Sequence, residues 1–322
     1  MSTRATAAAA TSATSRFRGD IVDIRSGTAR SGEIDIYYED MGDPADHPVL
    51  LVMGLGAQLL LWRDGFCRLL VERGYRVIRY DNRDVGLSGK VHGRRVDAPL
   101  LPGLVRSFLG RPSPSVYSLE DMADDAAALL DHLGIDHAHV VGASMGGMIA
   151  QIFAARHSGR TDALGVIMSS NNSALLPPPA PKALLPLIKG PGPDSGRDAV
   201  IEHSVRVSTI IGSPRYPVSE ERLRADATEG YERCYYPQGI ARHLGAVLGS
   251  GSLRRYNKQT LAPTVVLHGR EDKLMRPSGG RAIAAAIPGA RLVLFDGMGH
   301  DLPEGLWDDL VSELTKTFSD AQ

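Results

Sequence analysis

A chain of 322 residues is long enough for one large α/β domain with an inserted subdomain, or for two domains. Its 43% hydrophobic and 23% charged residues read as a soluble globule, and 36 Lys and Arg against 37 Asp and Glu leave a formal net charge of -1, which gives no electrostatic case for nucleic acid or an anionic membrane. No stretch approaches the length of a membrane span, so small neutral or mixed-charge molecules are the expected partners.

Residues 1–18 are rich in Ala, Thr and Ser, carry Arg4, Arg16 and Arg18 and no acid, and read as a disordered tail. An organelle transit peptide shares that composition, while Ala7 to Ala10 is too short for the apolar core of a secretory signal. Ile21 to Ile24 and Ile34 to Tyr38 alternate like two strands joined through Ser26-Gly27 and Ser31-Gly32, which predicts an antiparallel opening pair. Pro48 to Met53 is a continuous apolar run, as in a strand buried on both faces, and it ends in Gly54-Leu55-Gly56. A helical stretch over 58–72, a strand from Tyr75 to Tyr80 and a polar turn from Asp81 to Ser88 continue an alternation of strand and helix. The connection from Val91 to Tyr117 is too long for an ordinary loop and holds a short amphipathic segment at Leu100 to Leu109. Ser118-Leu119-Glu120-Asp121 then opens a helix with a capping arrangement. Cys67 and Cys234 lie far apart in sequence and suggest neither a disulfide framework nor a Cys-x-x-Cys metal site, so buried thiols in a reducing, cytoplasmic compartment are expected.

From Ala138 a β-branched run meets Gly142-Ala143-Ser144-Met145-Gly146 and passes into a helical pattern, the layout of a strand-to-helix elbow. With Gly at 35 of 322 residues, on the order of 0.3 chance matches to Gly-x-Ser-x-Gly are expected, so the motif gains weight only from that context. A serine hydroxyl is a poor nucleophile; a tight elbow frees its Oγ and sets it beside a base and backbone N–H donors. Residues 174–257 change character, with Pro177, Pro178, Pro179, Pro181 and Pro186 followed by irregular helices that carry Tyr231, Tyr235, Tyr236, His203 and His243. They read as an inserted helical cap, because alternation resumes with a strand at Thr264 to Leu267, a helix at Ser278 to Ile287, a strand at Arg291 to Phe295 and a last helix at Leu302 to Phe318.

A serine on such an elbow takes its partners in the chain order Ser, acid, His. Glu271 and Asp272 follow the strand that ends in His268-Gly269, and His300 follows the strand that ends in Phe295, both just past the carboxyl ends of strands. Asp301 reads as a solvated or capping residue, and His203 and His243 as ordinary polar residues of the cap. Tyr231, Tyr235 and Tyr236 fit a cap core or a pocket wall equally. His137 and His139 share one strand face but show no third ligand nearby, so no metal site is expected.

With these segments in hand the sequence resembles the α/β-hydrolase family across residues 20–318, and within it the small-molecule esterase branch that holds aclacinomycin methylesterases and cofactor-free haloperoxidases. The matching signatures are Met53-Gly54-Leu55, the turn with Asp81, Arg83, Gly86 and Ser88, the elbow at Ser144, His268-Gly269-x-x-Asp272 and Gly297-x-Gly299-His300. The resemblance implies an α/β-hydrolase fold, a mostly parallel eight-stranded sheet flanked by helices, formed by residues 19–173 and 258–322 with the cap at 174–257. It implies Ser144 as nucleophile, Asp272 rather than Glu271 as the acid, His300 as base, and the Leu55 and Met145 amides as the oxyanion hole. No cofactor is implied; the expected substrate is a small-molecule carboxylic ester cleaved through an acyl-enzyme, and the alternative is a haloperoxidase or perhydrolase on the same triad. Two positions depart from the family pattern: Met53, where many members have His, and Asp84, where Gly is usual.

Overall fold

The computed structural model describes residues 11–13, 23–94, 100–192 and 195–321. Among the described residues the strands are β1 (Thr11–Ala13), β2 (Ile24–Ser31), β3 (Ile34–Met41), β4 (His47–Val52), β5 (Tyr75–Tyr80), β6 (Ala138–Ala143), β7 (Thr161–Ile167), β8 (Thr264–Gly269) and β9 (Arg291–Phe295). They form one sheet in the order β1-β2-β3-β5-β4-β6-β7-β8-β9. The first three strands are antiparallel, β3 pairs antiparallel with β5, and the rest are parallel. The expected eight-stranded, mostly parallel sheet is therefore present, with the three-residue β1 added at its edge from within the stretch read as a tail; the remainder of residues 1–18 lies outside the described residues.

The opening hairpin sits later than the sequence suggests. Its first strand begins at Ile24 and runs through Ser26-Gly27, and the turn falls at Gly32-Glu33, because Ser31 pairs with Ile34 and Gly32 supplies a φ of +54°. Gly27 belongs inside the strand: a Cβ there would lie 2.5 Å from the Tyr38 hydroxyl that covers it.

The helices are α1 (Asp64–Val71), α2 (Leu100–Phe108), α3 (Leu119–His132), α4 (Met145–Arg156), α5 (Pro181–Ile188), α6 (Arg197–Ile211), α7 (Glu220–Arg233), α8 (Pro237–Gly249), α9 (Arg254–Asn257), α10 (Pro277–Ala286) and α11 (Trp307–Ser319). Strand residues alternate between two cores. Leu50, Val52, Ile78, Tyr80 and Val140 pack with α3 and α4, while Val49, Leu51, Val77 and Val141 pack with α1 and α11. That alternation within an unbroken apolar run is what double-sided burial of a parallel strand requires, each Val or Leu contributing about 1.5–3 kcal/mol. Helix α4 is buried from Met145 to Ala154, so it lies between the sheet and other helices with no solvent face. Its polar Gln151 is satisfied by Gly147 O, Ser170 O and the Asn257 amide, which ties α4 to α9. Ser118 caps α3 in a reciprocal box with Asp121, as its sequence predicts. No helix among the described residues is long and apolar enough to cross a membrane. Helices α5–α9 all fall between β7 and β8.

Candidate active site

Ser144 stands where β6 turns into α4, with φ 56° and ψ -122°, a backbone strain of the order of 1–3 kcal/mol that the surrounding packing must hold. The flanking glycines are required by contact. A Cβ on Gly142 would lie 2.2 Å from Gly146 O, and one on Gly146 would lie 2.1 Å from Val52 O.

His300 Nε2 lies 3.0 Å from Ser144 Oγ, and its Nδ1 lies 2.7 Å from Asp272 Oδ2. The other oxygen of Asp272 accepts from the Leu274 and Met275 N–H groups at 2.9 and 2.8 Å, which fixes the carboxylate plane. Asp272 and His300 are 3% and 8% exposed. Glu271, the neighbouring acid, is engaged elsewhere: it accepts from Gly297 N–H at 2.7 Å and braces the loop that carries His300. His268 is held neutral by burial, which lowers its pKa, and donates from Nε2 to Met275 O.

The loop after β4 runs beside the serine. A Cβ on Gly54 would lie 3.1 Å from Ser144 Cβ and 3.5 Å from its Oγ. Among the described residues, neither Leu55 N–H nor Met145 N–H has a hydrogen-bond partner, so two backbone donors stand free next to Ser144, one of them at the positive end of α4. The loop is pinned at both ends: the Asn82 amide donates to Met53 O at 2.8 Å, and Gly56 N–H donates to His243 Nδ1 at 3.0 Å. His243 in turn donates from Nε2 to Arg83 O at 2.7 Å. It is fully buried, and burial pushes its pKa down to about 4, so it is neutral with a defined tautomer. The sequence reading of His243 as an ordinary polar residue is corrected here. Its partners lie 187 and 160 positions away, and nothing local in the sequence marks it.

The turn after β5 is the second anchor. Asp81 accepts from Leu59 N–H and Leu87 N–H, both at 2.8 Å, and pairs with Arg233 of α7 at 2.7 Å. Gly86 must be glycine, since its Cβ would sit 2.1 Å from Asp81 Oδ2. Arg83 forks onto Asp125 of α3 at 2.6 and 2.7 Å. Asp84, where a glycine is usual, adopts the glycine-like φ of +68° and turns its carboxylate onto Arg242 of α8 at 2.7 and 2.9 Å. Burial raises the Asp84 carboxyl, but the Arg242 fork and the Val91 N–H outweigh it and hold it below its ordinary pKa. The departure at Asp84 is thus a lock between the β5 turn and α8.

A pocket of about 630 Å³ lies between α6–α8 and the carboxyl ends of the strands, with Met53, Gly56, Met168, Ile211, Ile240 and His300 on its wall. Tyr231, Tyr235 and Tyr236 all border it, Tyr231 and Tyr235 stacked at 5.1 Å. Asp301 is not a capping residue of α11: it accepts from Ser213 N–H and Oγ, while Ser213 Oγ accepts from Gly299 N–H at 2.8 Å, which fastens the His300 loop to the segment after α6. His203 is half-buried on α6. At the opposite end of the sheet, His137 and His139 are joined by His47 and Asp162, neighbours the linear sequence does not reveal.

A parallel sheet with a serine elbow at its centre and an acid and a histidine on later strand ends defines the class, and the chain belongs to the alpha/beta hydrolase fold family, which it matches over residues 47–304. It is 28% identical over 303 residues to rhodomycin D methylesterase of Streptomyces peucetius, covering 88% of this chain and 94% of that protein. It is 26% identical over 284 residues to a non-heme haloperoxidase of Rhodococcus erythropolis, covering 85% and 92%. Among solved structures, the esterase RhEst1 from Rhodococcus sp. ECU1013 superposes with a TM-score of 0.70 over 93% of this chain and 99% of that one, at 18% identity, a likeness of fold.

Proposed function

We propose that the protein hydrolyses a carboxylic ester of a small molecule through an acyl-enzyme on Ser144. What carries the reading is the unbroken chain from Ser144 Oγ through His300 to Asp272, beside two free backbone N–H groups and with His300 on the wall of a pocket. His300 Nε2 takes the Oγ proton as the oxygen attacks the ester carbonyl, and Asp272 holds the Nδ1–H tautomer and favours the imidazolium. The N–H groups of Leu55 and Met145 receive the oxyanion, a contribution of roughly 3–4 kcal/mol for one such donor. Collapse expels the alcohol, which leaves with the proton from His300. Water then enters, gives a proton to His300, attacks the acyl carbon and releases the acid with the serine restored.

Residues 174–257 serve as the cap over this reaction, and the similarity to rhodomycin D methylesterase favours a methyl ester of a bulky ring system, for which a cavity of about 630 Å³ has room. The free Cys67 and Cys234 support a cytoplasmic setting. A panel of acyl esters graded by chain length, with a polyketide-like methyl ester included, tests the reading; no hydrolysis of any member by folded protein overturns it. A second reading rests on the haloperoxidase relative. There, peroxide replaces water at deacylation, and peracid formation from acetate and peroxide is the measurement that selects it.

A further inference from the structure

The end of the sheet opposite Ser144 holds a polar cluster that the reaction does not use. His47 is the first residue of β4, His139 the second of β6 and Asp162 the second of β7, three strands adjacent in the sheet, and the β6–β7 register shifts at this point, between Ala138 and Val140. One ligand atom from each lies within 4.8 Å of the others. His47 Nε2 is 2.9 Å from Asp162 Oδ2, and His137 Nδ1 is 2.7 Å from the same oxygen. His139 is wholly buried, and neither of its ring nitrogens has a hydrogen-bond partner. A buried polar group left unpaired is costly, and here it stands beside a histidine and a carboxylate, a donor set that suits a cation. Burial keeps the imidazole neutral, with a lone pair available.

We propose that His47, His139 and Asp162 bind one divalent transition-metal ion, zinc by ligand type, at the amino-terminal end of the central strands. Two imidazoles and a carboxylate suit zinc, whose bonds of about 2.0–2.1 Å hold tetrahedral ligand atoms about 3.3 Å apart. The 2.9 Å separation of His47 from Asp162 is already close to that spacing. The side chains of His47 and Asp162 are 30% and 24% exposed and free to adjust, whereas His139 is stacked against Phe318 at 4.1 Å and is not. His137 keeps its bond to the carboxylate and orients it, and water completes the fourth position. The ion crosslinks β4, β6 and β7 and stands five residues along β6 from Ser144, about 16 Å of extended strand, too far to touch an ester. Its role is to hold the sheet together.

Metal content by plasma mass spectrometry on protein purified without chelator, followed by zinc titration of stripped protein with thermal unfolding, decides the matter. One zinc per chain and a melting temperature that rises with added zinc are expected, with ester turnover unchanged by stripping. His47→Ala and Asp162→Ala alter partly exposed side chains and leave the core intact; each should weaken zinc at least about ten-fold and remove the thermal shift. Cobalt substitution gives a second readout, tetrahedral visible bands in the parent that vanish in His47→Ala. No bound metal together with no zinc-dependent shift overturns the proposal. So does zinc binding of parental strength in both variants, which would place the ion elsewhere.

Discussion

His243 Nδ1, on α8, accepts the Gly56 N–H at 3.0 Å, so α8 holds the loop after β4 that runs past Ser144 and carries Leu55, the proposed oxyanion donor. Removing the acceptor leaves Gly56 N–H unpaired and the loop free to turn. His243→Leu is expected to lower kcat by about 100-fold with little change in KM, because the loss falls on the oxyanion and not on substrate binding. His243→Asn keeps an acceptor near the Nδ1 position and should restore most of that loss. Parental kcat in folded His243→Leu would remove His243 from the machinery.

Ser144 is the expected site of covalent labelling by a fluorophosphonate, read as a single adduct in intact-mass and peptide analysis. Labelling that persists in Ser144→Ala sinks the assignment of nucleophile. The two adjacent acids give a sharper contrast. Asp272 reaches His300 and Glu271 reaches only Gly297 N–H, so Asp272→Asn should cost about 10⁴ in kcat by holding the wrong histidine tautomer, whereas Glu271→Gln should cost less than about ten-fold. Equal losses in the two variants would reassign the acid.

What the sequence disclosed follows the range over which each signal acts. The elbow at Ser144, the capping box at Ser118 and the apolar run of β4 are local patterns, and each stands where its residues place it. Asp272 and His300 were candidates because their strands precede them directly, and the same strand ends bring them within hydrogen-bond reach of each other and of Ser144. The lock between Asp84 and Arg242 was visible only as a departure from glycine, since its partner is 158 positions away. His243 and the His47, His139 and Asp162 cluster were hidden for the same reason: strand order in the sheet brings β4, β6 and β7 together, and no periodicity in the chain announces that order. The first strand was misplaced because Gly27 reads as a turn until Tyr38 is seen lying over it.

Tyr231 borders the cavity from α7 and Tyr235 and Tyr236 from the turn into α8, and Tyr236 also accepts from Arg242 at 3.0 Å. Tyr231→Ala and Tyr235→Ala should shift the ratio of kcat/KM between a bulky methyl ester and a short acetate by about 10-fold or more while leaving labelling of Ser144 by a small phosphonate nearly unchanged. Tyr236→Ala should in addition loosen the Arg242 lock and lower the melting temperature. Uniform effects across all esters would make the stacked pair a structural element of the segment around α7 rather than a wall that reads the substrate.

The pH dependence of stability carries the sign of His243. Its pKa falls from the ordinary 6.5 to about 4 on folding, first because burial disfavours the charged ring and in spite of the Arg83 carbonyl that favours it. Between those two values the unfolded chain binds a proton that the folded chain refuses, so unfolding is promoted as pH falls. The contribution is whole above about pH 6.5 and is lost as pH drops through about 4. For one such group the difference between pH 7 and pH 5 is of the order of 2 kcal/mol. Buried His268, also lowered, acts in the same sense, while the carboxyl of Asp301, raised by burial, acts in the opposite one, so the parent curve alone assigns nothing. The comparison with His243→Asn does: urea unfolding at pH 7 and pH 5 should show a loss of stability smaller in the variant by about 2 kcal/mol. Protonation also converts Nδ1 from acceptor to donor and breaks the bond to Gly56 N–H, so a parent that loses turnover below pH 5 faster than His243→Asn, with both still folded by circular dichroism, ties the same titration to the oxyanion loop. Identical pH curves for stability in the two proteins would mean that His243 is charged in the fold, and the bridge from α8 to the loop would have to be redrawn.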